Sequence, residues 1–305
     1  MNSKGEKMRK KTIRFLPILL IFFLFSSSVY AKDAVFRNQK NFLWKVQSKT
    51  CTVYVLGSIH FFKKDMYPLN KKIEDAFKKS NILVVEANIN DVSQIDVQKL
   101  IESAFYPENE GLEKHVSRET YEIIKKGFGE LGLPLEFINK QKPWFLALTL
   151  TSMELVKLGF DPNYGIEVHF LSKASEKKIL ELESLDYQIN IFSRFSDKDQ
   201  ELFLLYTLKD LNTLSLELDK LIQAWTSGDT KTMESIISKS ITEDKRMSSF
   251  YEKLIYERNR NMVSRIEEFL KTKETYFIIV GAGHLVGNKG IIEILKRKGY
   301  QIEQL

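Results

Sequence analysis

Two stretches near opposite ends of this chain share one design: Val53-Tyr54-Val55-Leu56-Gly57-Ser58-Ile59-His60 and Tyr276-Phe277-Ile278-Ile279-Val280-Gly281-Ala282-Gly283-His284. Each is an unbroken apolar run rich in β-branched and aromatic residues, followed by Gly-x-x-His. Such a run is the pattern of a strand buried on both faces, which is how strands sit in a parallel sheet covered by helices. In open α/β sheets, ligands bind in the crevice beyond the carboxyl ends of those strands. The fold class expected is therefore α/β, with a mostly parallel sheet, flanking helices and a large helical insertion. Two histidines delivered to one sheet edge mark the candidate site.

The intervening sequence fits this frame. Phe42 to Val46 and Thr52 to Leu56 read as the first two strands, and Pro68 as the start of a helix burying Leu69, Ile73, Ala76 and Phe77. Ile82-Leu83-Val84-Val85 is a third strand ending in Glu86, so the strand–helix–strand order forms a βαβ unit. From Asp91 to Gly159 the pattern is mainly helical, including an apolar helix from Pro143 expected to lie against the sheet. Lys178 to Glu183 is a further strand, again ending in a carboxylate. Leu185 to Leu270 is helical, and a last helix and short strand follow His284. Nothing in the composition separates two independent domains.

Charge and cysteine content narrow the functional classes. The net charge is +6, but residues 1–31 hold six Lys and Arg against one Glu, so the rest of the chain is close to neutral. That balance gives no case for nucleic-acid binding. The same 31 residues have the layout of a secretory signal: a basic start, an apolar run from Phe15 to Phe25, then Val29 and Ala31 at the −3 and −1 positions of a cut before Lys32. Eleven apolar residues are too few to span a bilayer comfortably. The domain expected is thus 32–305, exported to the periplasm or beyond, with no stable membrane span after cleavage. An uncleaved anchor is the alternative. Cys51 is the single cysteine, so no internal disulfide can form.

Four strand ends now carry His60, Glu86, Glu183 and His284. Two imidazoles with one or two carboxylates suit a divalent transition metal, with His60, His284 and Glu86 as ligands and room for water or substrate. Manganese, cobalt and zinc all fit that description. Each residue also has a plainer reading. The histidines could cap helices, and Glu86 could pair with a core arginine. Glu181 lies on the same face as Glu183 and competes for its role. His115 and His169 sit in polar helical context and read as surface or supporting residues. On the stripe Tyr251, Leu254, Ile255, Met262, Ile266 and Phe269, Arg258 and Asn259 fall among apolar positions. A guanidinium there needs an anionic partner, and Glu86, Glu167 or Glu183 could supply it. A structural ion pair and a substrate-carboxylate clamp are equally open. Gly281-Ala282-Gly283 is not a dinucleotide fingerprint, because Val286 stands at the third glycine and no acidic strand follows.

At these positions the chain resembles the TraB/PrgY/GumN group, related to the animal Tiki proteases. The resemblance rests on Tyr54 to His60, Tyr67-Pro68-Leu69, Val84-Val85-Glu86, Gly165-Ile166-Glu167, Leu182-Glu183, Glu257-Arg258-Asn259 and Val280 to Gly287, in family order. It implies a fold of the erythromycin-esterase/ChaN-like type and a site built from the two Gly-x-x-His motifs and Glu86, with Glu183 and Glu167 beside them. Tiki members are metal-dependent peptidases, so the resemblance implies a metal-dependent hydrolase of peptides, with Arg258 and Asn259 orienting the peptide or small-molecule substrate. A metal-free esterase-like hydrolase and a non-catalytic binder of peptide or metal are the competing classes. Position 167 carries Glu where many relatives have Asp.

Overall fold

The apolar runs become the strands of one six-stranded sheet. The computed structural model describes residues 40–305 apart from 90–93, 131–133 and 212; the expected signal segment lies outside the described residues. The strands are β1 (Leu43–Gln47), β2 (Thr52–Ser58), β3 (Ile82–Val85), β4 (Lys178–Glu181), β5 (Thr275–Gly281) and β6 (Gln301–Gln304), in the order β4-β3-β5-β2-β1-β6. The pairs β2–β5, β5–β3 and β3–β4 are parallel, while β1 runs antiparallel to both β2 and β6. All four residues of β3 and the five central residues of β5 are buried, as strands covered on both faces must be. The β2–β5 register sets Ser58 opposite Gly281, so the two Gly-x-x-His turns leave the sheet side by side.

Helix α1 (Lys71–Lys79) carries the crossover from β2 to β3. It buries Ile73, Ala76 and Phe77 on one face. Its start differs from the sequence expectation. The Asn70 side chain accepts from Lys72 N at 2.9 Å and caps the helix, whereas Pro68 lies outside it after a cis peptide bond. A side-chain acceptor satisfies an exposed helix amide, which proline cannot do.

Between β3 and β4 come α2 (Gln94–Ala104), α3 (Arg118–Glu130), α4 (Leu135–Asn139), α5 (Pro143–Lys157) and α6 (Ile166–Ser172). Between β4 and β5 come α7 (Leu185–Ser193), α8 (Asp197–Leu211), α9 (Leu214–Ser227), α10 (Thr230–Glu243), α11 (Ser248–Tyr251) and α12 (Glu257–Phe269). The apolar helix α5 packs chiefly on α8, and Trp144 stacks on Phe192 of α7, so it is buried inside the helical layer rather than on the sheet. A single turn of π-helix, Glu252–Tyr256, joins α11 to α12. Helix α13 (Ile291–Arg297) precedes the edge strand β6. Among the described residues no helix is long and apolar enough to cross a membrane.

Candidate functional site

The four strand-end residues do meet at the carboxyl edge of β2, β3, β4 and β5. Past β4, the amides of Leu182 and Glu183 continue the ladder by donating to Val85 O and Glu86 O, each at 2.9 Å. That pairing sets the carboxyl groups of Glu86 and Glu183 beside each other. Arg258, wholly buried on α12, answers both. Its Nη2 donates to Glu86 Oε2 at 2.5 Å and to Glu183 Oε2 at 2.7 Å, and its Nε reaches Glu183 at 3.0 Å. The remaining Nη1 donates to Leu254 O at 3.1 Å, a carbonyl of the π turn. Of the three partners open to Arg258, then, it takes two. Glu181 is exposed, and its carboxyl caps the amide of Asn88 instead of competing for the site.

Glu86 takes up the arginine partner that the sequence left open for it. One oxygen pairs with the core arginine. The other, Oε1, accepts from Gly281 N at 2.6 Å and faces His284 Nε2 at 3.8 Å. Burial alone would raise its pKa, but Arg258, the two histidines and the Gly281 amide outweigh it and hold Glu86 down at about 2.

His284, nearly buried, is oriented from behind. Asn259 Nδ2 donates to Lys289 O at 2.8 Å, so Asn259 Oδ1 is left to accept from His284 Nδ1 at 2.6 Å. That places the ring proton on Nδ1 and turns the Nε2 lone pair toward Glu86. Burial, and then the Arg258 charge, push its pKa down to about 3 against the pull of Glu86, so the ring is neutral. The expectation that Arg258 and Asn259 orient substrate meets a geometry in which both are fully buried and bonded to protein groups. They stand behind the site and hold its side chains.

His60 is held by the one carboxylate that Arg258 does not reach. The segment after β2 pairs with the loop before α6, with Phe62 and Asp161 exchanging backbone bonds and Ile166 N donating to Ile59 O at 3.2 Å. Gly165 makes this approach feasible, since a Cβ there would fall 2.3 Å from His60 O. Helix α6 therefore starts against His60, and Glu167 in its first turn accepts from His60 Nδ1 at 2.9 Å. The same oxygen accepts from Ser58 Oγ. Burial disfavours the charged ring, but Glu167 and then Glu86 overcome it and lift His60 to about 9. About a quarter of its side chain (24%) remains exposed, the widest opening among these groups.

Gly281 sits at the centre. A Cβ built on it would lie 3.4 Å from Glu86 Oε1, 3.6 Å from His284 Cδ2 and 4.0 Å from His60 Nε2. The cavity here measures about 30 Å³, and Leu221, Met233, Ile237 and Ile255 form its apolar wall. That is room for about one water or ion. Among the described residues no three His, Cys, Asp or Glu side chains already surround a common point as a metal site does. The donor set nevertheless fits one. Both imidazoles present Nε2, each is held through Nδ1 by a separate partner, and a carboxylate oxygen lies beside them. Two donors 3.8 Å apart need to close by only a few tenths of an ångström to match the roughly 3.4 Å between ligands of a tetrahedral zinc, given bonds near 2.1 Å.

Sequence reasoning missed two contributors, Ser58 and Gln188. Gln188, on α7, donates to Glu183 Oε2 at 3.1 Å and Glu86 Oε2 at 3.3 Å, bridging the two carboxylates. Ser58 stands two residues before His60, on the same side of an extended chain, and that period was its one available signal. His115 and His169 lie elsewhere, paired with Asp197 and Glu74 and stacked on Tyr106 and Tyr67.

The uncharacterized protein YbaP of Escherichia coli is 27% identical over 245 residues, covering 80% of this chain and 87% of its own. An uncharacterized protein of Treponema pallidum is 21% identical, covering 94% and 90%. Metalloprotease TIKI1 of Xenopus tropicalis is 23% identical, covering 94% of this chain and 67% of its own length. No solved structure matches the chain. The family model described as TraB/PrgY/gumN matches residues 42–304, and the chain, with its two Gly-x-x-His strand ends, belongs to the TraB/PrgY/gumN family.

Proposed function

We propose that this chain is an exported metal-dependent hydrolase acting on peptides, with His60, His284 and Glu86 as the metal-holding residues. The observation that carries the reading is the convergence of two separately oriented imidazoles and one ionised carboxylate on the space above Gly281. The similarity to metalloproteases of the Tiki type supports the peptide class. Held by these residues, a manganese, cobalt or zinc ion would supply Lewis-acid polarisation of a carbonyl and lower the pKa of a water bound to it. The chain's own residues do the rest. Asn259 keeps the proton of His284 on Nδ1 and its Nε2 free. Glu167 does the same for His60, which must release its Nε2 proton before that atom can act as a ligand. Arg258, Glu183 and Gln188 hold Glu86 ionised and aimed. The apolar wall keeps bulk water out of the cleft. We also assign residues 1–31 to a cleaved export signal, 32–305 to the working domain, and the fold to the erythromycin-esterase/ChaN-like type.

A second reading has its own observation. The two histidines are pushed apart, one to about 9 and the other to about 3, as in an acid–base pair. Charged His60 could then donate a proton and neutral His284 accept one in metal-free hydrolysis. Metal content of residues 32–305, purified without a histidine tag, decides between them when measured beside His60→Ala and His284→Ala together with peptide hydrolysis. Near-stoichiometric metal lost in both variants, with hydrolysis abolished by chelator, supports the metal reading. No metal after reconstitution, with hydrolysis intact in chelator, transfers the assignment to the acid–base pair. Binding without turnover would overturn both.

A further inference from the structure

Ser58 is the last residue of β2, 3% exposed, and among the described residues its hydroxyl has one partner, Glu167 Oε1. A carboxylate only accepts, so Ser58 must donate. The same Oε1 receives His60 Nδ1–H at 2.9 Å. One oxygen from α6 is thus tied at two points, to the last residue of β2 and to His60 two residues beyond it. With only His60 on it, the Glu167 carboxyl could turn about its terminal torsion and keep that single bond over a range of ring angles, because such sp² torsions are broad. The second donor removes that freedom. The direction of His60 Nε2 toward Gly281 is then anchored, through Glu167, at the end of β2.

We infer that Ser58 is a positioning residue, which acts through Glu167 to fix the ring of His60. The inference rests on the assignment of His60 to the site and adds to it the reason a hydroxyl follows Gly57. Ser58 lines the cleft, so a nucleophilic serine is the rival role. The geometry opposes that rival, because Ser58 Oγ donates to Glu167 Oε1, the same oxygen that meets His60 Nδ1, and not to the imidazole. The backbone pairing of Ser58 with Gly281 does not use the side chain, so Ser58→Ala should fold.

The experiment compares Ser58→Ala, Ser58→Thr, Glu167→Ala and the Ser58→Ala/Glu167→Ala double variant. In metal-free protein at neutral pH, the His60 Nδ1–H proton held by Glu167 gives a downfield NMR signal, assigned by its loss in His60→Asn. Ser58→Ala broadens or removes that signal, and Ser58→Thr, which keeps the donor, restores it. Metal affinity measured with zinc falls about 10–100-fold in Ser58→Ala, the usual effect of losing an outer partner. In the Glu167→Ala background, Ser58→Ala adds nothing further. An unchanged signal, additive effects of the two substitutions, or a covalent organophosphonate adduct on Ser58 would each overturn the inference. If the wild type binds no zinc, the metal proposal fails, while the NMR signal still decides the role of Ser58.

Discussion

Substituting Gly281 by alanine separates what the site needs from what the fold needs. Gly281 has φ −50° and ψ 135°, an extended conformation any residue adopts, so the backbone does not require glycine. The added methyl would meet Glu86 Oε1 at 3.4 Å, His284 Cδ2 at 3.6 Å and His60 Nε2 at 4.0 Å, which are ordinary contacts rather than clashes. Its amide would still donate to Glu86. Gly→Ala at a compatible position gains about 0.4–1 kcal/mol by restricting the unfolded chain. For a domain of this size that raises Tm by about 1–4 °C. The methyl is close to a water molecule in size, and the cavity it enters holds about 30 Å³. It therefore occupies the space on which the three donors converge. A misplacement of about 1 Å at a reacting centre costs roughly 100-fold, so turnover and metal affinity should fall by at least about that factor. The assay is thermal melting with circular dichroism, beside metal content and peptide hydrolysis on the same preparations. Wild-type metal stoichiometry and turnover in a well-folded Gly281→Ala would refute the placement of the site.

Arg258→Met strands two buried carboxylates, and breaking such a pair costs about 3–5 kcal/mol, so Tm should drop by roughly 6–20 °C. Adding Glu183→Gln should recover part of the loss; a drop under about 2 °C, or no recovery, would contradict the buried network. Asn259→Ala should keep the fold but lower zinc affinity about 10–100-fold, because His284 loses the partner that fixes its tautomer; titration with zinc checks this. In metal-free protein, His60 is raised to about 9 from an ordinary 6.5, so its contribution to stability is fully present below 6.5 and is lost as pH rises through about 9. Glu86, lowered to about 2, and His284, lowered to about 3, act on the other side. Their contributions hold above about 4.5 and 6.5 respectively and are lost as pH falls toward 2–3. Denaturant melts across pH should therefore show a maximum near 6.5 with stability falling on both sides, and Glu167→Gln should flatten the alkaline fall.

The sequence by itself determined the sheet's parallel centre and the four polar residues at its edge. A strand buried on both faces has to be an unbroken apolar run, and a run that stops at Gly-x-x-His or at Glu shows where the sheet ends. Composition also located the basic charge in the first 31 residues. What only the tertiary structure decided was the pairing. Arg258 lies 172 positions from Glu86 and 75 from Glu183, and its choice of those two over Glu167 depends on strand order and on where α12 crosses the sheet edge. Glu167 went to His60 because Gly165 lets α6 start against the His60 backbone. Asn259 turned out to hold His284, and Ser58 to hold Glu167, through contacts 25 and 109 positions apart. Local periodicity reaches a few residues along the chain. Hydrogen-bond partners across a sheet edge are fixed by strand order and by where the connecting helices dock.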